Sequence, residues 1–128
     1  MKDAVEYLHH IKALILGSSA VLKIEIVREE AFEDIGLFRI RLRLTDASLL
    51  EIFEHFSVQE ENVHVLKYSF HWQDTDGQLR VRWDNACHHP EIPTHPYHLH
   101  SGDNANTMPS EPMNTEKVLS IVGEKLNT

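Results

Sequence analysis

Histidine is concentrated in one short part of the sequence, between residues 88 and 100, and most of the reactive side chains lie in or near it. The five histidines there are His88, His89, His95, His98 and His100. Imidazole exchanges protons near neutral pH, so it can serve as a general acid or a general base. Arg80 and Arg82 precede the segment, and guanidinium groups stabilise negative charge that develops on a reacting phosphate. Together these side chains are the components of a metal-independent ribonuclease.

The acid–base hypothesis and two alternatives share the same residues. The candidate catalytic residues are His71, Arg80, Arg82, Asp84, His88, His98 and His100. A divalent metal is the first alternative, because His98 and His100 are two residues apart in one extended segment. Asp84 or His88 can complete such a site. The second alternative is structural, with histidines that hydrogen-bond the backbone and fix the shape of a proline-rich loop. Spacing alone does not distinguish the three.

A second cationic surface is predicted on a strand. Arg39, Arg41 and Arg43 alternate with apolar residues and therefore share one face of a sheet. They are candidates for binding substrate phosphate. A half-exposed antiparallel sheet shows the same alternation without any ligand, and pairing with acidic residues is an equally good explanation. Both interpretations stay open.

Hydrophobic periodicity predicts an α+β fold with a mainly antiparallel five-stranded meander, an N-terminal and a C-terminal helix packed on one face, and a long loop rich in histidine and proline. The predicted elements are a helix over 3–16, strands over 21–28, 36–45, 50–56, 63–73 and 78–85, the loop over 86–112, and a helix from Asn114 or Thr115. Predicted inward residues include Leu22, Ile24 and Ile26 on the first strand, and Leu66, Tyr68, Phe70 and Trp72 on the fourth.

The last two strands are predicted to form a hairpin, because Asp74-Thr75-Asp76-Gly77 is a strong turn sequence. A four-residue turn would pair His71 with Arg80, Ser69 with Arg82, and Lys67 with Asp84. Trp72 and Trp83 would then face the core.

Composition limits the class of protein. The 128 residues, with 41% hydrophobic and 25% charged residues, fit one globular domain over 1–128. A net charge of −8 argues against general electrostatic attraction to nucleic acid. A single cysteine and the lack of a long apolar run predict a cytoplasmic protein without a membrane span. No phosphate-binding glycine loop or dinucleotide motif occurs, which disfavours ATP-driven and hydride chemistry.

Several motifs resemble the TumE family of prokaryotic toxin–antitoxin proteins. They are Tyr68-Ser69-Phe70-His71-Trp72-Gln73, Asp76-Gly77, Arg82-Trp83-Asp84-Asn85-Ala86, His88-His89-Pro90, Pro93, Tyr97-His98-Leu99-His100 and Pro109-Ser110-Glu111-Pro112. The resemblance implies a toxin with a cognate antitoxin protein as partner. Its polar residues correspond here to His71, Gln73, Arg82, Asp84, Asn85, His88, His89, His98 and His100. Of these, Gln73, Asn85 and His89 are assigned to substrate binding. Family members often have His-His-Lys-His at positions 97–100, and proline at Cys87.

The leading hypothesis is a toxin that cleaves RNA without a cofactor. Arg80 and Arg82 would bind phosphate, His71 or His88 would be the general base, and His98 or His100 the acid. One alternative is a non-catalytic module whose histidine loop and arginine face bind an antitoxin or a second copy, since an exposed strand edge can support a homodimer. Another is a metal-dependent hydrolase with a divalent ion bound through His98 and His100.

Overall fold

Seven strands in chain order form one antiparallel sheet, with a helix at each end of the chain. The computed structural model describes residues 1–87, 91–102 and 107–127. Its elements are α1 (Ala4–Leu16), β1 (Val21–Phe32), β2 (Ile35–Leu44), β3 (Leu49–Gln59), β4 (Asn62–Gln73), β5 (Leu79–Asp84), β6 (His98–Ser101), β7 (Thr107–Pro109) and α2 (Thr115–Leu126). The α+β class, the meander and the two helices are confirmed.

The prediction of five strands is wrong, because the segment predicted as a loop over 86–112 contains two more. β6 has four residues and β7 has three, and they pair in register with Leu99 opposite Met108. Runs this short cannot display a period of two clearly, and prolines before β6 and within β7 obscure the pattern further. The extra strands extend the sheet from β5 and bring His98 and His100 onto it.

Both helices begin with a capping side chain and bury one apolar stripe. Asp3 caps α1 by accepting a hydrogen bond from the Glu6 backbone N–H, and Gly17 follows its end. Asn114 caps α2 in the same way, accepting from the Lys117 N–H at 2.8 Å. Within the described ranges, neither helix is long and apolar enough to cross a bilayer.

The sheet has one face covered by the helices, here called the helix-covered face, and an opposite open face. Alternation along the strands sends large apolar side chains to the first: Phe38, Ile40, Leu42, Leu44, Leu50, Ile52, Phe56, Tyr68, Phe70, Trp72 and Trp83 are all buried. Residues between them, including the arginines of β2, point to the open face. The predicted burial of both tryptophans is confirmed.

Bulges explain two inward predictions that are wrong. Leu66 is 51% exposed, because the β3–β4 register shifts between His55 and Phe56 and leaves Leu66 out of the pairing. Leu22 is 67% exposed at a similar shift in β1. Ile26 shares the inward face but is 47% exposed, since β1 is the edge strand and α1 covers it incompletely.

The β4–β5 hairpin has the predicted turn but a different register. Gly77 has a φ of 88°, and the Gly77 N–H donates to the Asp74 carbonyl at 3.0 Å. The observed pairs are His71 with Arg82 and Ser69 with Asp84, two residues away from the prediction. The shift lies next to the turn, where Gln73 pairs with Leu79 and Trp72 with Val81. Because a slip of two preserves side-chain direction, His71, Ser69, Arg82 and Asp84 still share the open face. Arg80 lies at the register shift and is left out of the pairing.

Candidate functional site

The candidate site is built on a row of polar side chains that crosses the C-terminal half of the open face. His71 on β4 pairs with Arg82 on β5, Arg82 pairs with His100 on β6, and His100 pairs with Thr107 on β7. Adjacent strands lie about 4.8 Å apart, so the backbones of His71 and His100 are separated by about 10 Å. Arg82 therefore stands between two histidines of the neighbouring strands, on the same face of the sheet. We call His71, Arg82 and His100 the open-face row.

A buried carboxylate lies beside this row. Asp84 is 6% exposed, and its Oδ1 lies 2.7 Å from Nε2 of His98, its cross-strand neighbour. The Asp84 Oδ2 lies 3.3 Å from Nε of Arg82, and the Ala86 N–H donates to Oδ1. The carboxylate therefore links β5 to β6 and also orients Arg82.

His98 is held at both ring nitrogens and is almost completely buried. Its Nδ1 lies 2.9 Å from the Pro96 carbonyl oxygen, and its Nε2 faces Asp84. A carbonyl and a carboxylate only accept, so both contacts are hydrogen bonds when both nitrogens carry hydrogen. With 2% exposure, His98 positions its neighbours and does not meet solvent.

His100 is the more accessible of the two strand histidines. Its side chain is 21% exposed, its Nε2 lies 3.8 Å from Oδ2 of Asp84, and its Nδ1 lies 3.4 Å from Oγ1 of Thr107. One ring nitrogen of each histidine and one carboxylate oxygen of Asp84 lie within 4.8 Å of one another, as a metal site requires. Thus Asp84, His98 and His100, all predicted site residues, come together in the structure.

Arg80, also predicted to bind phosphate, belongs to another cluster. Its guanidinium forms ion pairs with Asp46 and Asp74, two residues from different turns. It also lies over the ring of Trp72, 4.8 Å from the centroid. Two carboxylates neutralise Arg80, so it stabilises the turns at the far end of β5 from Asp84.

The arginines of β2 are largely paired with acidic residues. Glu51 on β3 accepts from Arg39 Nη1 at 2.5 Å and from Arg41 Nε at 3.2 Å. Although partial burial raises the pKa of Glu51, these two arginines lower it below its ordinary value. Arg43 donates to the Ala47 carbonyl. This pairing is the alternative explanation that the sequence left open.

Of four remaining candidates, two have definite positions and two lie outside the described ranges. Gln73 Oε1 lies 3.1 Å from His71 Nε2 and can orient that imidazole. Asn85 binds the backbone of β4, accepting from the Tyr68 N–H and donating to the Leu66 carbonyl at the bulge. Its amide therefore supports the strand. His88 and His89 lie outside the residues that the structure describes.

A buried group that the sequence argument did not single out lies on the helix-covered face. Glu54 is 0% exposed and accepts from the Tyr7 hydroxyl at 2.7 Å, the Thr115 N–H at 2.7 Å and the Thr115 hydroxyl at 2.5 Å. Burial raises the pKa of the Glu54 carboxyl above its ordinary value. A charged residue in the inward register between Ile52 and Phe56 was the available signal.

Comparison with known proteins shows one relationship, which extends over nearly the whole chain. A protein-family model described as Toxin TumE matches residues 10–126. No curated protein and no solved structure is significantly similar to the chain. The matched range contains every strand, α2 and all residues of the candidate site, and it confirms the resemblance inferred from the motifs.

Proposed function

Since the chain belongs to the TumE toxin family, and is thus the toxin component of a toxin–antitoxin system with a cognate antitoxin as partner, we propose that it acts by cleaving RNA. The supporting observation is the open-face row, in which Arg82 lies between His71 and His100 on three adjacent strands. A phosphate bound by the guanidinium would have one imidazole on each side. The proposed reaction needs no metal.

The proposed substrate-binding group is Arg82. Its side chain is 48% exposed, and its Nε lies 3.3 Å from Oδ2 of Asp84. Arginine binds phosphate in a planar, two-pronged geometry and keeps its charge at all relevant pH values. Arg39 and Arg41 share Glu51 and so contribute less positive charge to the open face. Arg82 thus provides local positive charge for RNA on a protein whose net charge is −8.

The proposed reaction is attack by a ribose 2′-hydroxyl on the neighbouring phosphorus. His71 takes the proton from the 2′-hydroxyl while the bond from O2′ to phosphorus forms. The bond from phosphorus to O5′ breaks, and the imidazolium of His100 donates its proton to the leaving oxygen. Arg82 stabilises the charge on the phosphorane oxygens. The products are a 2′,3′-cyclic phosphate and a 5′-hydroxyl, so no water or co-reactant is consumed.

Asp84 and His98 act in this proposal as positioning residues. Their hydrogen bond joins the two strands that carry Arg82 and His100. Since His98 is 2% exposed, the accessible His100 is the better candidate for the acid. Homodimerisation stays a prediction, supported by the exposed apolar residues Ile26 and Val27 on the β1 edge.

The proposal is tested with purified protein and total RNA in buffer that contains a chelator. His71→Gln and His100→Gln are each expected to slow cleavage by about 10²–10⁴-fold, because acid–base groups contribute that range. His64→Gln is the matched control, since His64 is an exposed histidine on β4 remote from the row. Cyclic phosphate ends should form only with active variants. If the His71→Gln, His100→Gln double variant, expressed in bacteria, arrested growth and left RNA intact, a non-catalytic binding function would replace cleavage.

A further inference from the structure

We propose that Asp84, His98 and His100 form a binding site for one divalent transition-metal ion, with Zn²⁺ as the representative ion. One ring nitrogen of each histidine and one carboxylate oxygen of Asp84 lie within 4.8 Å of one another. In both histidines Nε2 is the nitrogen directed to Asp84, so the proposed ligands are the two Nε2 atoms and the Asp84 carboxylate. This inference depends on the positions of the three side chains and not on the proposed ribonuclease activity. Two imidazoles and one carboxylate are a common protein ligand set for such ions.

The distances between ligand atoms match a metal site after small side-chain movements. Bonds of 2.0–2.2 Å in tetrahedral geometry place ligand atoms about 3.3–3.6 Å apart. The His98–Asp84 distance of 2.7 Å is shorter than this, and the His100–Asp84 distance of 3.8 Å is longer. Each differs from the tetrahedral spacing by under about 1 Å. Rotation of the side chains can supply that movement without displacement of β5 or β6.

The surroundings of the two histidines are those of metal ligands. His98 Nδ1 contacts the Pro96 carbonyl at 2.9 Å, and His100 Nδ1 contacts the Thr107 hydroxyl at 3.4 Å. Ligating histidines usually engage their second nitrogen in this way, which fixes the ring and directs the other nitrogen to the ion. Here both Nε2 atoms are directed to the same carboxylate.

The framework is also rigid, and one side of it is open. Asp84 and His98 are directly paired residues of adjacent strands, and His100 is opposite Arg82. Ligands on strands hold their geometry better than ligands on loops. Arg82 competes for the Asp84 carboxylate, but its side chain is 48% exposed and can turn toward solvent. Imidazole ligands favour zinc-like ions over Mg²⁺ or Ca²⁺, which prefer oxygen.

Metal binding would exclude the metal-free reaction in the same molecule. The ion takes the lone pair of His100 Nε2, which then cannot carry the proton required by the leaving oxygen. Zinc is therefore expected to inhibit cleavage that proceeds in chelator. Arg82 and His71 are not ligands, so phosphate binding by the open-face row would be affected less.

The test is calorimetric titration of the untagged, chelator-washed full chain with ZnCl₂, and with MgCl₂ as the control ion. We expect one zinc site, and His100→Gln should weaken it at least about tenfold, since even outer partners of a ligand contribute 10–100-fold. His64→Gln removes an exposed histidine and should retain the wild-type affinity. Co²⁺ absorption in the visible range gives a second readout, because three protein ligands produce bands that aqueous Co²⁺ lacks.

His98→Gln is expected to abolish the site, but it also removes a buried hydrogen bond and can unfold the protein. The decisive variant is therefore His100→Gln, whose side chain is partly exposed, with circular dichroism as the check on folding. Equal zinc affinity of His100→Gln and wild type would overturn the proposal, as would absence of zinc binding at millimolar concentration. RNA cleavage in chelator is scored separately: zinc binding without cleavage would overturn only the proposed function, and cleavage without zinc binding only the metal site.

Discussion

Two buried carboxylates, one on each face of the sheet, have opposite surroundings. Glu54 on the helix-covered face is 0% exposed and has neutral partners, the Tyr7 hydroxyl and the Thr115 hydroxyl and N–H. Asp84 on the open face is 6% exposed and has cationic or titratable partners: His98, His100 and Arg82. The partners of Glu54 belong to α1 and α2, so this group joins both helices to β3. The partners of Asp84 are the side chains that could perform chemistry.

The comparison teaches that burial of a charged group does not by itself identify a functional site. Burial raises the pKa of the Glu54 carboxyl, and yet its partners Tyr7 and Thr115 are hydrogen-bond donors that hold the helices on the sheet. Around Asp84, by contrast, Arg82 and His100 extend from the buried carboxylate toward solvent. A functional interpretation requires that a buried group such as Asp84 contacts side chains that solvent and substrate can reach.

The largest expected effect is on stability, from Glu54→Ala. The substitution leaves the Tyr7 hydroxyl and two Thr115 donors without an acceptor, and each unsatisfied buried group costs about 1–3 kcal/mol. We expect the free energy of unfolding to fall by about 3–5 kcal/mol in urea titrations. Glu51→Ala is the control, because Glu51 is on the same strand but pairs on the open face. Equal losses in both variants would contradict the assigned difference between the faces.

Long alternating segments explain why much of the fold could be predicted from sequence. β2 repeats apolar and arginine residues over its length, and α1 has its apolar stripe between Asp3 and Gly17, so both were predicted closely. β6 and β7 were missed because four and three residues carry no clear period. The hairpin register was missed because a shift beside the turn, between Trp72 and Gln73, cannot be recognised from residue types.

The candidate site was predicted by residue type more than by geometry. Asp84, His98 and His100 come together because β6 pairs with β5, a pairing that the predicted loop excluded. Arg80 was assigned to the site because the predicted hairpin register paired it with His71, whereas His71 pairs with Arg82. One of the two acidic partners of Arg80, Asp46, is 34 residues away, and such contacts depend on how turns meet in space. Glu54 was overlooked because its helix partners are similarly distant in sequence.

A smaller, pH-dependent effect sharpens the description of Glu54. Burial raises the pKa of its carboxyl above the ordinary 4.5, so the folded state favours the protonated form. The protonated Glu54 carboxyl makes its full contribution to stability below pH 4.5. That contribution is lost as the pH rises through the folded-state pKa. Glu54→Gln has no such dependence. Within that window, the free energy of unfolding of Glu54→Gln should therefore rise relative to that of wild type by about 1.4 kcal/mol per pH unit. Urea unfolding at several pH values measures this difference. A constant difference would show that the carboxyl titrates as in the unfolded chain.

The smallest expected effect concerns an exposed carboxylate, Asp46, which binds Arg80. Although partial burial raises its pKa, hydrogen bonds from Ser48 and the Arg80 ion pair lower the pKa of Asp46 to about 2. The pH dependence of the stability that Asp46 contributes is opposite to that of Glu54. The stabilisation by Asp46 is present above pH 3.8 and is lost as the pH falls toward about 2. Asp46→Asn should cost about 1 kcal/mol at pH 6 and progressively less below pH 4, in thermal unfolding. Because solvent screens this pair, added salt should reduce the difference, whereas it should leave the effect of Glu54→Ala unchanged. If salt weakened both effects equally, the proposed difference between the buried, hydrogen-bonded Glu54 and the surface ion pair of Asp46 with Arg80 would be wrong.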